Sequence, residues 1–128
     1  MALTTLKTLK KRAEFLRVKG GPRWATPTLV VEMRLRPETK GDTMDPRVGF
    51  TISKKVGNAV VRNRVRRRLR VAVGALGPAQ MRPGCDYVVI ARARAADCAY
   101  QDLKAELEQA LQRVHQPGTR GRRSPKPR

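Results

Sequence analysis

The sequence predicts a single α+β domain, and three observations carry that prediction. Segments 29–36 and 47–53 alternate apolar and polar side chains with the period of a strand, and three other segments repeat apolar residues at helical spacing. The run "DYVVIARA" has the length and apolar content of a buried strand. With 128 residues, 40% of them hydrophobic, the chain is long enough for one core and short for two.

The first helix is expected where Leu6, Leu9, Ala13 and Leu16 recur at helical spacing, with Phe15 and Val18 beside them. The "GGP" at 20–22 supplies its stop. In "TLVVEMRLR", Leu29, Val31, Met33 and Leu35 face one way and Val30, Glu32, Arg34 and Arg36 the other, which predicts a half-buried strand closed by Pro37. Residues 37–46 read as a surface loop rich in turn formers. "RVGFTIS" alternates again, with Val48, Phe50 and Ile52 inward, and is expected to pair antiparallel with the preceding strand. Gly57 and Asn58 mark a turn. From Ala59 the period becomes 3.6, placing Val61, Val65, Leu69, Ala72 and Leu76 on one helical stripe. "GPAQMRPG" breaks that helix, "DYVVIARA" follows as a strand, and Tyr100, Leu103, Leu107, Leu111 and Val114 form the apolar face of a last helix. Residues 1–115 are thus expected to fold, and 116–128, with five basic residues, three prolines and no acid, to be a disordered basic tail.

Charge narrows the function. Twenty-nine basic residues against ten acidic give a net charge of +19, a self-repulsion that a polyanionic partner would relieve. No apolar run approaches the roughly 18 residues of a spanning helix, and no export signal is visible at the N-terminus, so neither a membrane nor secretion is expected. Cys85 and Cys98 form no CxxC pair and are expected as reduced thiols in a cytoplasmic protein; with His115 the lone histidine, an ordinary zinc site is excluded. His115 itself reads as an incidental polar residue at a helix end. The acids are scattered, with no tight carboxylate pair for metal-dependent phosphodiester cleavage, so no catalytic residue is assigned.

The basic residues concentrate in "KKVGNAVVRNRVRRRLR", where eight of seventeen positions are lysine or arginine, and no carboxylate occurs from Pro46 to Cys85. On the helix, Arg62, Asn63, Arg66, Arg67 and Arg70 share one flank of the apolar stripe, and Arg64 and Arg68 line the other. A solvated helix normally mixes signs to gain i,i+4 pairs of about 0.2–0.5 kcal/mol each; here Arg62, Arg66 and Arg70 repel at that spacing. Arginine in place of lysine also favours a bidentate grip on phosphate. Nucleic acid is therefore the expected ligand, with DNA or RNA left open at this level. Phe15 and Phe50 are the aromatics near this surface able to stack a base, although both also suit the core.

The stretch "ISKKVGNAVVRNRVRRRLR" closely resembles the signature of the bacterial ribonuclease P protein subunit, with the family's Arg-Asn-Arg box at Arg62, Asn63 and Arg64. "LKKRAEFLRV", "RVGFTISKK" and "DYVVIARARAADCAY" extend the likeness from residue 6 to about 114. The resemblance implies an α-β-β-β-α-β-α domain similar to the second domain of ribosomal protein S5, with a left-handed β-α-β crossover; the periodicity above yields only three of the four strands. It implies that the catalyst is a partner RNA and that the protein binds this RNA and precursor tRNA, assisting magnesium-dependent removal of the 5′ leader without an obligate protein partner or a metal site of its own. By position in the motif, Lys54, Lys55, Asn58, Arg62, Asn63, Arg64, Arg66, Arg67, Arg68 and Arg70 would contact RNA, and Phe15 and Lys19 would line the leader cleft. Lys19 replaces a second aromatic that many relatives carry, and Glu32 stands where some carry a tyrosine, which moves leader recognition from stacking towards phosphate contacts. The rival readings are a structural ribosomal-type RNA-binding protein, a protein nuclease acting alone and a DNA-compacting protein.

Overall fold

The structure, a computed structural model, describes residues 7–9, 12–36, 45–76 and 80–115. Its centre is β5 (Cys85–Ala91), the apolar run of the sequence, which is buried on both faces because it has a strand on either side and helices above and below. To one side lies β3 (Leu29–Leu35), antiparallel to β5, and beyond it the three-residue edge strand β2 (Arg23–Ala25). To the other side lie β4 (Arg47–Thr51), parallel to β5, and the two-residue β1 (Lys7–Thr8), parallel to β4. The helices are α1 (Arg12–Val18), α2 (Ala59–Leu76) and α3 (Tyr100–Val114). Apart from the short β1, the order is the expected α-β-β-β-α-β-α, with α2 as the crossover between parallel β4 and β5.

Side-chain parity divides the sheet into two faces. Leu29, Val31 and Met33 of β3, Val48 of β4 and Tyr87 and Val89 of β5 pack under α2 and α3 in the main core. Val65, Leu69, Ala72 and Val73 of α2, with Leu103, Leu107, Leu111 and Val114 of α3, complete it. Each such fully buried aliphatic side chain contributes about 1.5–3 kcal/mol over its exposed state. The opposite face is covered only by α1 and the segment before it, through Leu9, Val18 and Val88, with Phe15 and Ile90 packed at the margin. That incomplete cover leaves a cleft.

Several sequence expectations change here. Helix α1 begins at Arg12, not near Leu6, because β1 takes Lys7 and Thr8 into the sheet and leaves Leu9 buried outside the helix. Leu16, expected to face inward, is 52% exposed, and Phe15 and Val18 do the packing. The pairing of β4 with β3 does not occur: β5 inserts between them, since a parallel crossover returns the chain to the gap. Strand β3 is buried on both faces as far as Met33, including Glu32, while Leu35 at its end is 65% exposed. The missing fourth strand is β2, too short to show a period. Loop residues 37–44 and the tail 116–128 lie outside the described residues.

Candidate nucleic-acid interface

Helix α2 is positioned by its start. Asn58 accepts the Val61 N–H on Oδ1 at 2.9 Å and the Arg62 N–H on its carbonyl at 2.9 Å, which caps the first turn. Gly57 before it sits so close to Val61 that an added Cβ would lie 2.7 Å from Val61 Cγ1. Arg62 reaches back, donating from Nε to the Gly57 carbonyl at 3.1 Å. The 3-10 turn Lys54–Val56, anchored by buried Val56, presents Lys54 and Lys55 to solvent beside this cap.

With Val65, Leu69, Ala72 and Val73 turned to the core, the remaining positions of α2 face outward. Asn63, Arg64, Arg67 and Arg70 are exposed, and Arg62, Arg66 and Arg68 are half-buried. Among the described residues none of these six arginines pairs with a carboxylate. Arg64 and Arg68 instead donate to main-chain carbonyls at the turn before α3: Arg64 to Ala96 at 3.2 Å, and Arg68 to Ala95 at 3.5 Å and Cys98 at 2.8 Å. Arg66 donates to Asn63 Oδ1 at 3.4 Å. All ten residues assigned to RNA contact by motif therefore lie on one connected surface formed by α2 and the turn before it.

The second feature is the cleft between α1 and the sheet, about 290 Å³, lined by Phe15, Leu16, Lys19, Arg23, Glu32, Thr51, Val88 and Ile90. Both cleft residues expected from the sequence are present. Phe15 packs closely on the sheet at Gly49, where an added Cβ would lie 2.5 Å from the ring. Sequence reasoning missed Arg23, which enters from β2 and meets Glu32 across the strand pair at 3.7 Å.

Next to the cleft, Asp86 of β5 is 1% exposed and takes hydrogen bonds from Arg36 at 2.9 Å, Arg47 at 2.7 and 2.6 Å and Arg17 at 2.8 Å. Burial alone would raise its carboxyl, but the bonds from Arg47, Arg36 and Arg17 outweigh it and hold the group below the usual carboxylate range. Arg47 also bonds Glu14 of α1 at 2.9 Å, so the cluster ties α1 to the sheet. Its signal in the sequence was a single acid leading an apolar run.

His115 is not incidental. Its Nε2 lies within hydrogen-bond distance, 2.6 Å, of the hydroxyl of fully buried Tyr87, which also accepts the Arg82 N–H. Burial, aided by Arg82, lowers the imidazole pKa to about 4. Cys85 and Cys98 are free thiols, both shifted upward by burial. Among the described residues no three His, Cys, Asp or Glu side chains cluster to hold a metal ion, and no helix is long and apolar enough to cross a membrane.

A family model described as Ribonuclease P matches residues 3–115. The chain belongs to the ribonuclease P protein family. Among its relatives in this family, the ribonuclease P protein component of Paramagnetospirillum magneticum is 49% identical over 110 residues, covering 85% of this chain and 83% of that protein. That of Brucella suis is 42% identical over 107 residues, covering 80% and 76%. Among solved structures, the RNase P protein of Staphylococcus aureus superposes with a TM-score of 0.70 at 31% identity, covering 84% of this chain and 94% of that one. The RNase P protein of Thermotoga maritima shares the fold, with a TM-score of 0.69 over 86% of this chain and 99% of that one, at 24% identity.

Proposed function

We propose that α2 and the Lys54–Val56 turn bind the catalytic RNA of ribonuclease P, and that the α1 cleft holds the single-stranded 5′ leader of precursor tRNA. The protein then assists magnesium-dependent endonucleolytic removal of that leader in the cytoplasm. One observation carries the reading: six arginines on one helix, with no carboxylate partner among the described residues. Their mutual repulsion is relieved when phosphates occupy the spaces between guanidinium groups. Membership of the ribonuclease P protein family supports RNA as the polyanion and tRNA processing as the reaction.

The division of labour follows from the residues. Among the described residues no acids cluster to hold metal ions, and the most deeply buried carboxylate, Asp86, is occupied by three arginines. Magnesium is accordingly assigned to the assembled particle, where the RNA supplies the bond-breaking chemistry. The protein lowers the magnesium requirement by placing fixed cations along the phosphates. In the cleft, Lys19 meets leader phosphate and Phe15 offers a stacking face worth about 1–3 kcal/mol per base.

The test is reconstitution. Full-length protein added to the catalytic RNA at limiting magnesium is expected to restore precursor cleavage and to raise affinity for precursor over mature tRNA. Unchanged RNA activity would return the chain to the structural RNA-binding reading.

A further inference from the structure

Glu32 is the one acid lining the cleft, and its residue exposure is only 6%. A buried carboxylate ordinarily collects hydrogen bonds. Glu32 has none among the described residues: its nearest cation, Arg23 Nη1, stands at 3.7 Å, outside hydrogen-bond range. Arg23 is unsatisfied too, its buried Nε lacking any acceptor. The two side chains are cross-strand neighbours from β2 and β3 and leave donors and acceptors unspent at the same place on the cleft floor.

We infer that the Arg23–Glu32 pair reads a base of the bound leader and favours guanine. The inference rests on the leader occupying this cleft. An ionised carboxylate only accepts and a guanidinium only donates, so side by side they present a donor followed by two acceptors. The Watson–Crick edge of guanine is the complement: O6 accepts, while N1–H and N2–H are adjacent donors that one carboxylate takes together. Adenine and cytosine offer the carboxylate a single amine. Uracil offers one imide N–H between two carbonyl oxygens, one of which would face the carboxylate. Unpaired RNA bases expose this edge, as duplex bases do not. The Phe15 ring of α1, which lines the same cleft, supplies a face for the base, and Lys19 a contact for the adjoining phosphate.

The experiment uses full-length protein assembled with its RNA and a set of precursor tRNAs whose leaders are uridine throughout except for one scanned position, together with mature tRNA. At one leader position guanosine is expected to improve kcat/KM over uridine by about tenfold, with adenosine and cytidine between them. Glu32→Gln is expected to bring that ratio below about twofold, because the amide puts a donor NH2 where the carboxylate offers its second acceptor oxygen. A wild-type profile flat across the four bases at every position, while precursor still binds better than mature tRNA, overturns base reading and leaves the leader cleft intact. A wild-type base preference that Glu32→Gln retains overturns the role of Glu32. Equal binding of precursor and mature tRNA by the wild-type particle removes the leader reading itself, and this inference with it.

Discussion

The molecule holds two arginine clusters built on opposite terms. Arg17, Arg36 and Arg47 converge on the buried carboxylate of Asp86, with Glu14 as a second anion, so their charge is largely spent inside the protein. The arginines of α2 have no anion among the described residues and reach only neutral oxygens, main-chain carbonyls or the Asn63 side-chain amide. The residue type is the same in both places; the supply of carboxylates separates a structural knot from a binding surface. A count of basic residues alone would score the two regions alike.

The comparison breaks first at Asp86. Asp86→Ala leaves three guanidinium groups around an empty site and is expected to cost about 3–5 kcal/mol in urea unfolding, whereas charge removal on α2 costs the fold little. Next comes Arg66→Ala with Arg67→Ala and Arg70→Ala, residues not tied to the turn before α3. The slope of log affinity against log salt for the RNA partner should flatten by about three, roughly one per phosphate contact. Stability of the free protein should stay level or rise by a few tenths of a kcal/mol as like charges at i,i+4 disappear. A loss of more than about 1 kcal/mol would show that these arginines are structural.

Acid titration sharpens the contrast by about 1 kcal/mol. His115 has an imidazole pKa near 4 in the folded state, below its usual 6.5, so the unfolded chain binds the extra proton as pH falls between those values. Stability is therefore full above pH 6.5 and declines towards pH 4, by on the order of 1 kcal/mol given partial screening, and His115→Gln should remove that slope. Asp86, held below the carboxylate range, adds its own loss only at lower pH, below about 3.8. Of similar or smaller size, Asn58→Ala should cost about 1 kcal/mol in thermal unfolding through the lost cap of α2.

Helices α2 and α3 were legible in the sequence to the residue, because each carries an unbroken apolar stripe against the same side of the sheet. Strand β5 was legible from its apolar run, to within two residues at each end. What failed depended on neighbours distant in the chain. Nothing in residues 47–53 says that β5 will come between β4 and β3, and nothing near Leu16 or Leu35 says that each ends on the surface. At the site, the residue types of the arginine helix and Phe15 with Lys19 could be read in advance, since the motif is contiguous. Arg23 could not, because it joins the cleft only through the antiparallel register that sets it opposite Glu32. Asp86 and His115 find their partners across the fold, at Arg17, Arg36 and Arg47 and at Tyr87.

The carbonyl tethers of Arg64 and Arg68 bear on how fast and how well the helix meets a phosphate chain. A free arginine surrenders about 1.5–2 kcal/mol of rotamer entropy when it is pinned. These two have already surrendered part of it to the turn that leads into α3, and their remaining N–H groups wait in set directions. The helix thus carries two stiff fingers among flexible ones, so that register is chosen by the former and grip is added by the latter.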